Sequence, residues 1–89
     1  MLSFLPKTPS DIMLELSTRF RKRRKTLGYS QKELATRSGV SLGSLKRFEQ
    51  SGEISLESLL KLAVILECLE DFEGVCRAKD RLPQSIEEL

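Results

Sequence analysis

Histidine is absent from this chain of 89 residues, and cysteine occurs only twice. Without histidine, zinc sites built from cysteine and histidine are excluded, and two thiols alone do not make a metal site. Cys68 and Cys76 are eight positions apart, which fits neither zinc spacing nor a C-x-x-C redox motif. We interpret both as reduced packing residues of a helical domain, with an intrachain or interchain disulfide as the alternative.

Long apolar runs and glycine-rich loops are also missing. The longest apolar run, Leu62 to Leu66, is far too short to span a bilayer. The segment from Met1 to Pro9 contains one lysine and two prolines, and it lacks the continuous apolar region of a secretory signal. No glycine-rich phosphate loop or metal-ligand cluster is evident. We therefore expect a cytoplasmic protein that is not an enzyme and that uses no metal or cofactor.

The net charge of +2 conceals a separation of charge along the chain. Residues 1–52 contain eleven Lys/Arg and four Asp/Glu, a net of +7, whereas residues 53–89 contain four and nine, a net of −5. Five consecutive cations occupy positions 21–25. Because they point in different directions around a helix, only some of them can face one ligand. The first half of the chain suits a polyanionic partner, and the second half does not.

Apolar residues spaced three and four apart predict one all-α domain, a compact bundle of about five short helices. We assign residues 1–9 to an N-terminal arm, residues 10–78 to the folded domain and residues 79–89 to an acidic C-terminal tail. Helix one is predicted to begin with Ser10 as its N-cap and to end before Gly28. Its predicted buried face consists of three residues: Leu16, Phe20 and Leu27.

Helices two and three have the pattern of a helix-turn-helix. Ser30 and Glu33 form a capping box at the start of helix two, and Gly39 ends that helix as a left-handed cap. Helix three begins after Ser41 and closes before Gly52. Its outward positions mix small, polar and basic residues, as a surface that enters a DNA groove would: Leu42, Gly43, Ser44, Lys46, Arg47 and Gln50.

Two further helices are predicted. Helix four opens at Ser55 and is expected to pack across helices one to three through five apolar residues: Leu56, Leu59, Leu60, Ala63 and Leu66. A short helix five follows, and its apolar residues form the predicted dimer surface: Leu69, Phe72 and Val75. Pro83 then breaks the chain, and residues 85–88 allow one last capping-box turn.

With these helices placed, the chain resembles the lambda-repressor-like (Cro/cI, or xenobiotic-response-element) helix-turn-helix regulators over roughly residues 19–72. The motif that carries the resemblance is Gly28-x-Ser30-Gln31-x-x-Leu34-Ala35-x-x-Ser38-Gly39-Val40-Ser41-x-x-x-Leu45-x-x-Phe48-Glu49-x-x-Gly52, followed by Leu59-Leu60-x-Leu62-Ala63. The resemblance implies a bundle of about five helices that works as a two-fold dimer on double-stranded DNA.

The resemblance also implies roles for individual residues. The residue matching Gln31 contacts a phosphate from the start of helix two, and Arg24 of helix one pairs with Glu49 of helix three as a structural ion pair. The resemblance and the open N–H groups at the helix N-termini together predict a set of DNA-binding residues: Gln31, Lys32, Ser41, Leu42, Gly43, Ser44, Lys46 and Arg47.

The first reading positions depart from the family pattern, because Leu42 and Gly43 stand where related proteins often have two polar base readers. Leu42 can touch a thymine methyl group, and Gly43 permits close approach. Hydrogen-bonded recognition then falls on Ser44, Lys46 and Arg47. For Arg47, a bidentate contact to guanine and a contact to phosphate remain equal alternatives.

These observations predict a sequence-specific DNA-binding transcriptional regulator, a repressor that works as a homodimer. An alternative comes from the acidic C-terminal extension, which also resembles antitoxins of the HipB type. Such proteins repress their own operon and bind a HipA-like kinase toxin. In that case Ile86 and Leu89 of the tail would belong to the segment that binds the toxin partner.

Overall fold

A computed structural model describes residues 5–78 of the chain. In this range the regular structure consists of five helices: α1 (Pro9–Thr26), α2 (Gln31–Ser38), α3 (Leu42–Ser51), α4 (Leu56–Ile65) and α5 (Glu70–Glu73). Helix α1 packs against α3, and α2 packs against both α3 and α4. The prediction of an all-α bundle of about five short helices is confirmed.

The start of α1 differs from the prediction, because its N-cap is Thr8 and not Ser10. The Thr8 hydroxyl accepts the Asp11 backbone N–H at 3.1 Å, and the Asp11 carboxylate accepts the Thr8 N–H at 2.9 Å. Pro9 then occupies the first helical position, where its fixed φ fits the helix and its missing N–H has no intrahelical partner to lose. The helix therefore begins at Pro9, the last residue of the predicted N-terminal arm.

The turn between α2 and α3 has the predicted caps. Ser30 and Glu33 form a reciprocal capping box, with N–H to oxygen distances of 2.8 and 3.0 Å. Gly39 ends α2 with φ +78°, a left-handed conformation that only glycine adopts without steric cost. The hydroxyl of Ser41 accepts the Ser44 N–H at 3.1 Å and thereby caps α3. Two short helices are thus held at a fixed angle by local hydrogen bonds.

The core lies where α1, α2, α3 and α4 meet. Phe20 of α1 and Phe48 of α3 pack edge to face, with ring centroids 5.6 Å apart. Such aromatic pairs stabilise a fold beyond the area that they bury. The largest of the fully buried side chains come from all four helices and from the C-cap of α4: Ser17, Leu34, Leu45, Phe48, Leu62 and Leu66. The burial of Leu45 and Phe48 confirms the predicted inward face of α3.

Two residues predicted to face the core are exposed. Leu27 retains 37% of its surface because it is the C-cap of α1, where the chain turns away from the helix axis. Leu56 retains 67% because it is the first residue of α4 and projects beyond the packed layer. Leu62, which the prediction did not assign to the buried face of α4, is fully buried.

The end of α3 is fixed against α1 by a close backbone approach. Gly52 caps α3 with φ +83° and donates its N–H to the Phe48 carbonyl at 2.8 Å. A Cβ atom at this position would lie 2.8 Å from the backbone carbon of Met13 and 2.9 Å from its oxygen. Only glycine therefore fits both the turn and the contact.

The later elements complete the bundle. Arg23 of α1 donates to the Leu66 carbonyl at 2.9 Å, and so satisfies an open carbonyl at the end of α4. Helix α5 is a single turn, and within the described residues no helix is long and apolar enough to cross a membrane. The predicted turn at 85–88, with Ile86 and Leu89, lies outside the described residues.

Candidate nucleic-acid interface

A buried ion pair connects α1 to α3. Arg24 donates from Nε to Glu49 Oε2 at 2.8 Å and from Nη2 to Glu49 Oε1 at 3.0 Å. The two side chains retain only 8% and 4% of their exposure. A third donor of Arg24 reaches the Tyr29 carbonyl at 3.0 Å. The guanidinium therefore fixes α3 and the loop before α2 at the same time, and it is not available to DNA.

Gln31 belongs to the same cluster. Its Nε2 donates to Glu49 Oε1 at 2.8 Å, and the residue is half-buried. A side-chain amide has two N–H donors, so one remains for a phosphate beside the first turn of α2. The hydrogen bond to Glu49 sets the direction of that remaining donor.

The outer face of α3, which we define as Gly43, Ser44, Lys46, Arg47 and Gln50, is exposed along its length. Gly43 has open space around it, since a Cβ atom there would meet nothing within 4 Å. The face is thus a ridge of small, polar and basic groups that is accessible to a groove.

The first turn of α3 presents fewer free side-chain groups for contact with DNA than the sequence predicted. Leu42 is half-buried and packs against the core, so only part of its side chain can touch a thymine methyl group. Ser41 donates its hydroxyl proton to Ser44 Oγ at 2.9 Å. This bond uses the only hydroxyl donor of Ser41 and one acceptor lone pair of Ser44.

The cations near this face have different environments. Among residues 5–78, Lys32 and Lys46 form no ion pair with a carboxylate. Arg37 lies over the Tyr29 ring with its Cζ 5.1 Å from the centroid, a cation–π contact that orients it along α2. No adjacent carboxylate within residues 5–78 therefore competes with an anionic partner for Lys32 or Lys46.

Arg47 has a partner that sequence reasoning missed. Its Nε lies 2.9 Å and its Nη2 lies 2.5 Å from Glu53 Oε1. Arg47 and Glu53 are six residues apart: Arg47 belongs to α3, and Glu53 belongs to the turn that connects α3 to α4. The signal in the sequence was an acidic residue directly after the capping Gly52, which returns the chain toward the last turns of α3.

The three residues of the predicted dimer surface are in different environments. Phe72 is half-buried and packs against Phe20, with centroids 6.2 Å apart. Leu69 retains 37% of its exposure and Val75 retains 66%. Phe72 therefore contributes to the core, and Leu69 and Val75 are the exposed members of the set.

Both cysteines are free thiols. Burial raises the pKa of Cys68, and the nearby positive charge of Arg23 opposes this effect. Cys76 is exposed, on a turn after α5. A packing role for Cys68 agrees with its position in the core.

A sequence model of the helix-turn-helix family matches residues 20–72, which span the end of α1 through α5. No curated protein and no solved structure matches the chain. The matched range contains the buried ion pair, both capped helix N-termini and the whole outer face of α3.

Proposed function

The chain belongs to this family of Cro/cI-like helix-turn-helix DNA-binding regulators, and on that premise we propose that it is a sequence-specific transcriptional repressor. Helix α3 is proposed to enter the major groove of double-stranded DNA with its outer face toward the bases. The observation that carries the proposal is the exposed, polar and basic ridge of α3 on a helix whose opposite side is locked into the core.

Phosphate contacts are proposed at the starts of α2 and α3. Backbone N–H groups in the first turn of a helix are unpaired and carry partial positive charge, so they bind anions readily. Gln31 and Lys32 add side-chain donors at the start of α2, and Ser41 lies at the start of α3. These contacts position the protein on DNA, whereas Ser44, Lys46 and Arg47 are proposed to read base edges.

Repression follows from occupancy, because a protein seated in the major groove of a promoter excludes polymerase from the same DNA. A homodimer is proposed because one domain makes few base contacts, and two domains about 34–36 Å apart read half-sites one helical turn apart. We expect the protein to act in the cytoplasm.

Selection of bound sequences from random double-stranded DNA tests the proposal directly. We expect an enriched, two-fold symmetric site whose half-sites are spaced by about one turn of 10–10.5 bp.

Arg47→Ala should flatten the preference at one base pair, with a loss of about 1–3 kcal/mol for the preferred sequence. Lys32→Ala should weaken all sequences equally and reduce the salt slope by about 1. No enrichment by the wild-type protein would contradict the proposed function.

The antitoxin alternative rests on the acidic C-terminal extension, residues 79–89, which contains three Asp/Glu and two Lys/Arg. It adds a kinase-like toxin to the partners and keeps the DNA-binding role. A kinase-like reading frame beside this gene, together with co-purification of the two products, would support it. If no such neighbour exists, the autonomous repressor is favoured.

A further inference from the structure

The pairing of Arg47 with Glu53 leaves one edge of the guanidinium open. A guanidinium has five N–H donors: one on Nε and two on each terminal nitrogen. Glu53 Oε1 occupies the side that bears Nε and Nη2. The end-on edge, formed by both terminal nitrogens, retains a parallel pair of N–H donors. Such a pair matches the O6 and N7 acceptors of guanine.

The turn after α3 holds Glu53 in place. The Ser51 hydroxyl donates to the Arg47 carbonyl at 2.9 Å and accepts the Glu53 N–H at 3.2 Å. It therefore bridges the backbones of both partners. Gly52, whose approach to Met13 leaves no room for a Cβ atom, fixes the turn against α1. The carboxylate is thus carried by a backbone that is anchored to the rigid part of the fold.

The pair is exposed at the edge of the proposed interface. Arg47 retains 71% and Glu53 retains 54% of side-chain exposure. An exposed pair of this kind contributes little to folding stability, so its consequence lies in the orientation of Arg47. A long side chain that is already ordered loses less conformational entropy when it binds.

We infer that Glu53 is a positioning residue for specificity, which holds the end-on edge of Arg47 toward a guanine in the major groove. This inference rests on the proposed function and deepens it. It also chooses between the two alternatives for Arg47, because a neutralised guanidinium attracts phosphate weakly but keeps its directed hydrogen bonds to a base. Glu53 therefore converts a general attraction for DNA into a preference for one base pair.

The test variant is Glu53→Gln, which removes the charge and keeps the size of the side chain. At the base pair read by Arg47, we expect the preference for guanine to fall by about 2-fold to 12-fold, the range for ordering one long side chain. Affinity for random DNA should rise, because the variant lacks the negative charge beside Arg47 that opposes attraction to phosphate. The slope of log K against log salt should steepen by at most about 0.9, which corresponds to one additional phosphate contact.

The matched control is Glu57→Gln. It removes the same charge from an exposed carboxylate on α4 that pairs with Lys61 at 3.5 Å. We expect it to leave the guanine preference unchanged. Melting temperatures of both variants, measured alongside, separate an effect on binding from an effect on folding.

A double variant shows whether Glu53 acts through Arg47. In an Arg47→Ala background, Glu53→Gln should no longer change base preference. A change in base preference that persists in the Arg47→Ala background would overturn the inference. An unchanged or stronger guanine preference in the Glu53→Gln single variant would also overturn it, because that is the result expected if the carboxylate only competes with DNA for Arg47. Absence of any guanine preference that depends on Arg47 would overturn it as well. In each case the wild-type protein still selects a DNA site, whereas failure of the proposed function would leave no selected site at all.

Discussion

At the residue scale, Glu49 is the side chain with the most consequences. It accepts two hydrogen bonds from Arg24 and one from Gln31, and it retains 4% exposure. Removing one partner of a buried ion pair leaves the other charge without compensation. Folding and the proposed phosphate contact of Gln31 therefore depend on the same carboxylate.

Glu49→Ala should lower the free energy of unfolding by about 3–5 kcal/mol, because it leaves the Arg24 guanidinium buried and unpaired. Denaturant unfolding of both proteins, fitted with the same m-value, measures the change in the free energy of unfolding. Glu57→Ala, at an exposed site, should stay within about 0.5 kcal/mol of wild type. Equal midpoints for the two variants would mean that water or another group compensates Arg24.

At the element scale, two helix starts depend on carboxylates. Asp11 completes the capping box of α1 and Glu33 that of α2, and the pKa of each is lowered chiefly by the backbone N–H that it accepts, from Thr8 and Ser30 respectively. A lowered pKa in the folded state means that the ionised form is favoured by folding. Its contribution to stability is therefore complete above the ordinary carboxyl pKa and is lost as the pH falls through the lowered value.

Glu33→Gln should flatten the acid side of the stability profile. Glutamine keeps the capping-box hydrogen bond but does not titrate, so the stability of the variant should fall less than that of wild type as the pH drops below about 4.3. Thermal unfolding between pH 6 and pH 3 measures both proteins. Parallel profiles would show that the Glu33 charge makes no contribution to the cap.

The sequence was sufficient for most of the helix caps, whose determinants are local, although it missed Thr8 as the N-cap of α1 because Ser10 offers the same kind of hydroxyl two residues later. Ser30, Glu33, Gly39 and Ser41 act within one turn of their own position, so their caps were predicted correctly. Contacts between distant positions were not predictable in this way. Arg23 reaches the Leu66 carbonyl 43 residues away, and its sequence neighbours give no sign of that partner.

The features of the candidate DNA-binding face were likewise predictable only where their determinants are local. The exposed positions of α3 follow from helical periodicity, and the structure places them on one face. The family resemblance suggested the partnership of Arg24 with Glu49, and the structure brings the two together; their roles toward DNA remain predictions. The environments of Leu42, Arg47 and Phe72 depend on how α1, α4 and the turn after α3 pack. Periodicity within one helix does not contain that information.

At the scale of the whole molecule, the basic first half of the chain is proposed to bind DNA, and the acidic second half contains the predicted dimer surface. Lys46 and Arg47 of the basic first half lie on the outer face of α3, whereas the acidic second half includes α5 and the turn that follows it. A groove between α1 and α5 is lined by Leu16, Phe20, Phe72 and Val75. We expect the second copy of the chain to bind beside this groove, through Leu69 and Val75.

Sedimentation at tens of micromolar should therefore give twice the chain mass of 10.1 kDa. Val75→Glu should shift the protein toward the monomer, and its melting temperature should equal that of wild type only at concentrations where both are monomeric, because Val75 is 66% exposed within one chain and association itself stabilises the folded state. Val64→Glu, at an exposed site of α4, should remain dimeric. A wild-type protein that sediments as a strict monomer would contradict the predicted dimer surface.

The contact between Gly52 and α1 has a genetic consequence. A larger residue at position 52 collides with the backbone carbon and oxygen of Met13, and not only with its side chain. Replacing Met13 with a smaller residue therefore cannot relieve the collision. A search for second-site revertants of Gly52→Ala should recover changes that shift the whole of α1, and position 13 should be missing among them.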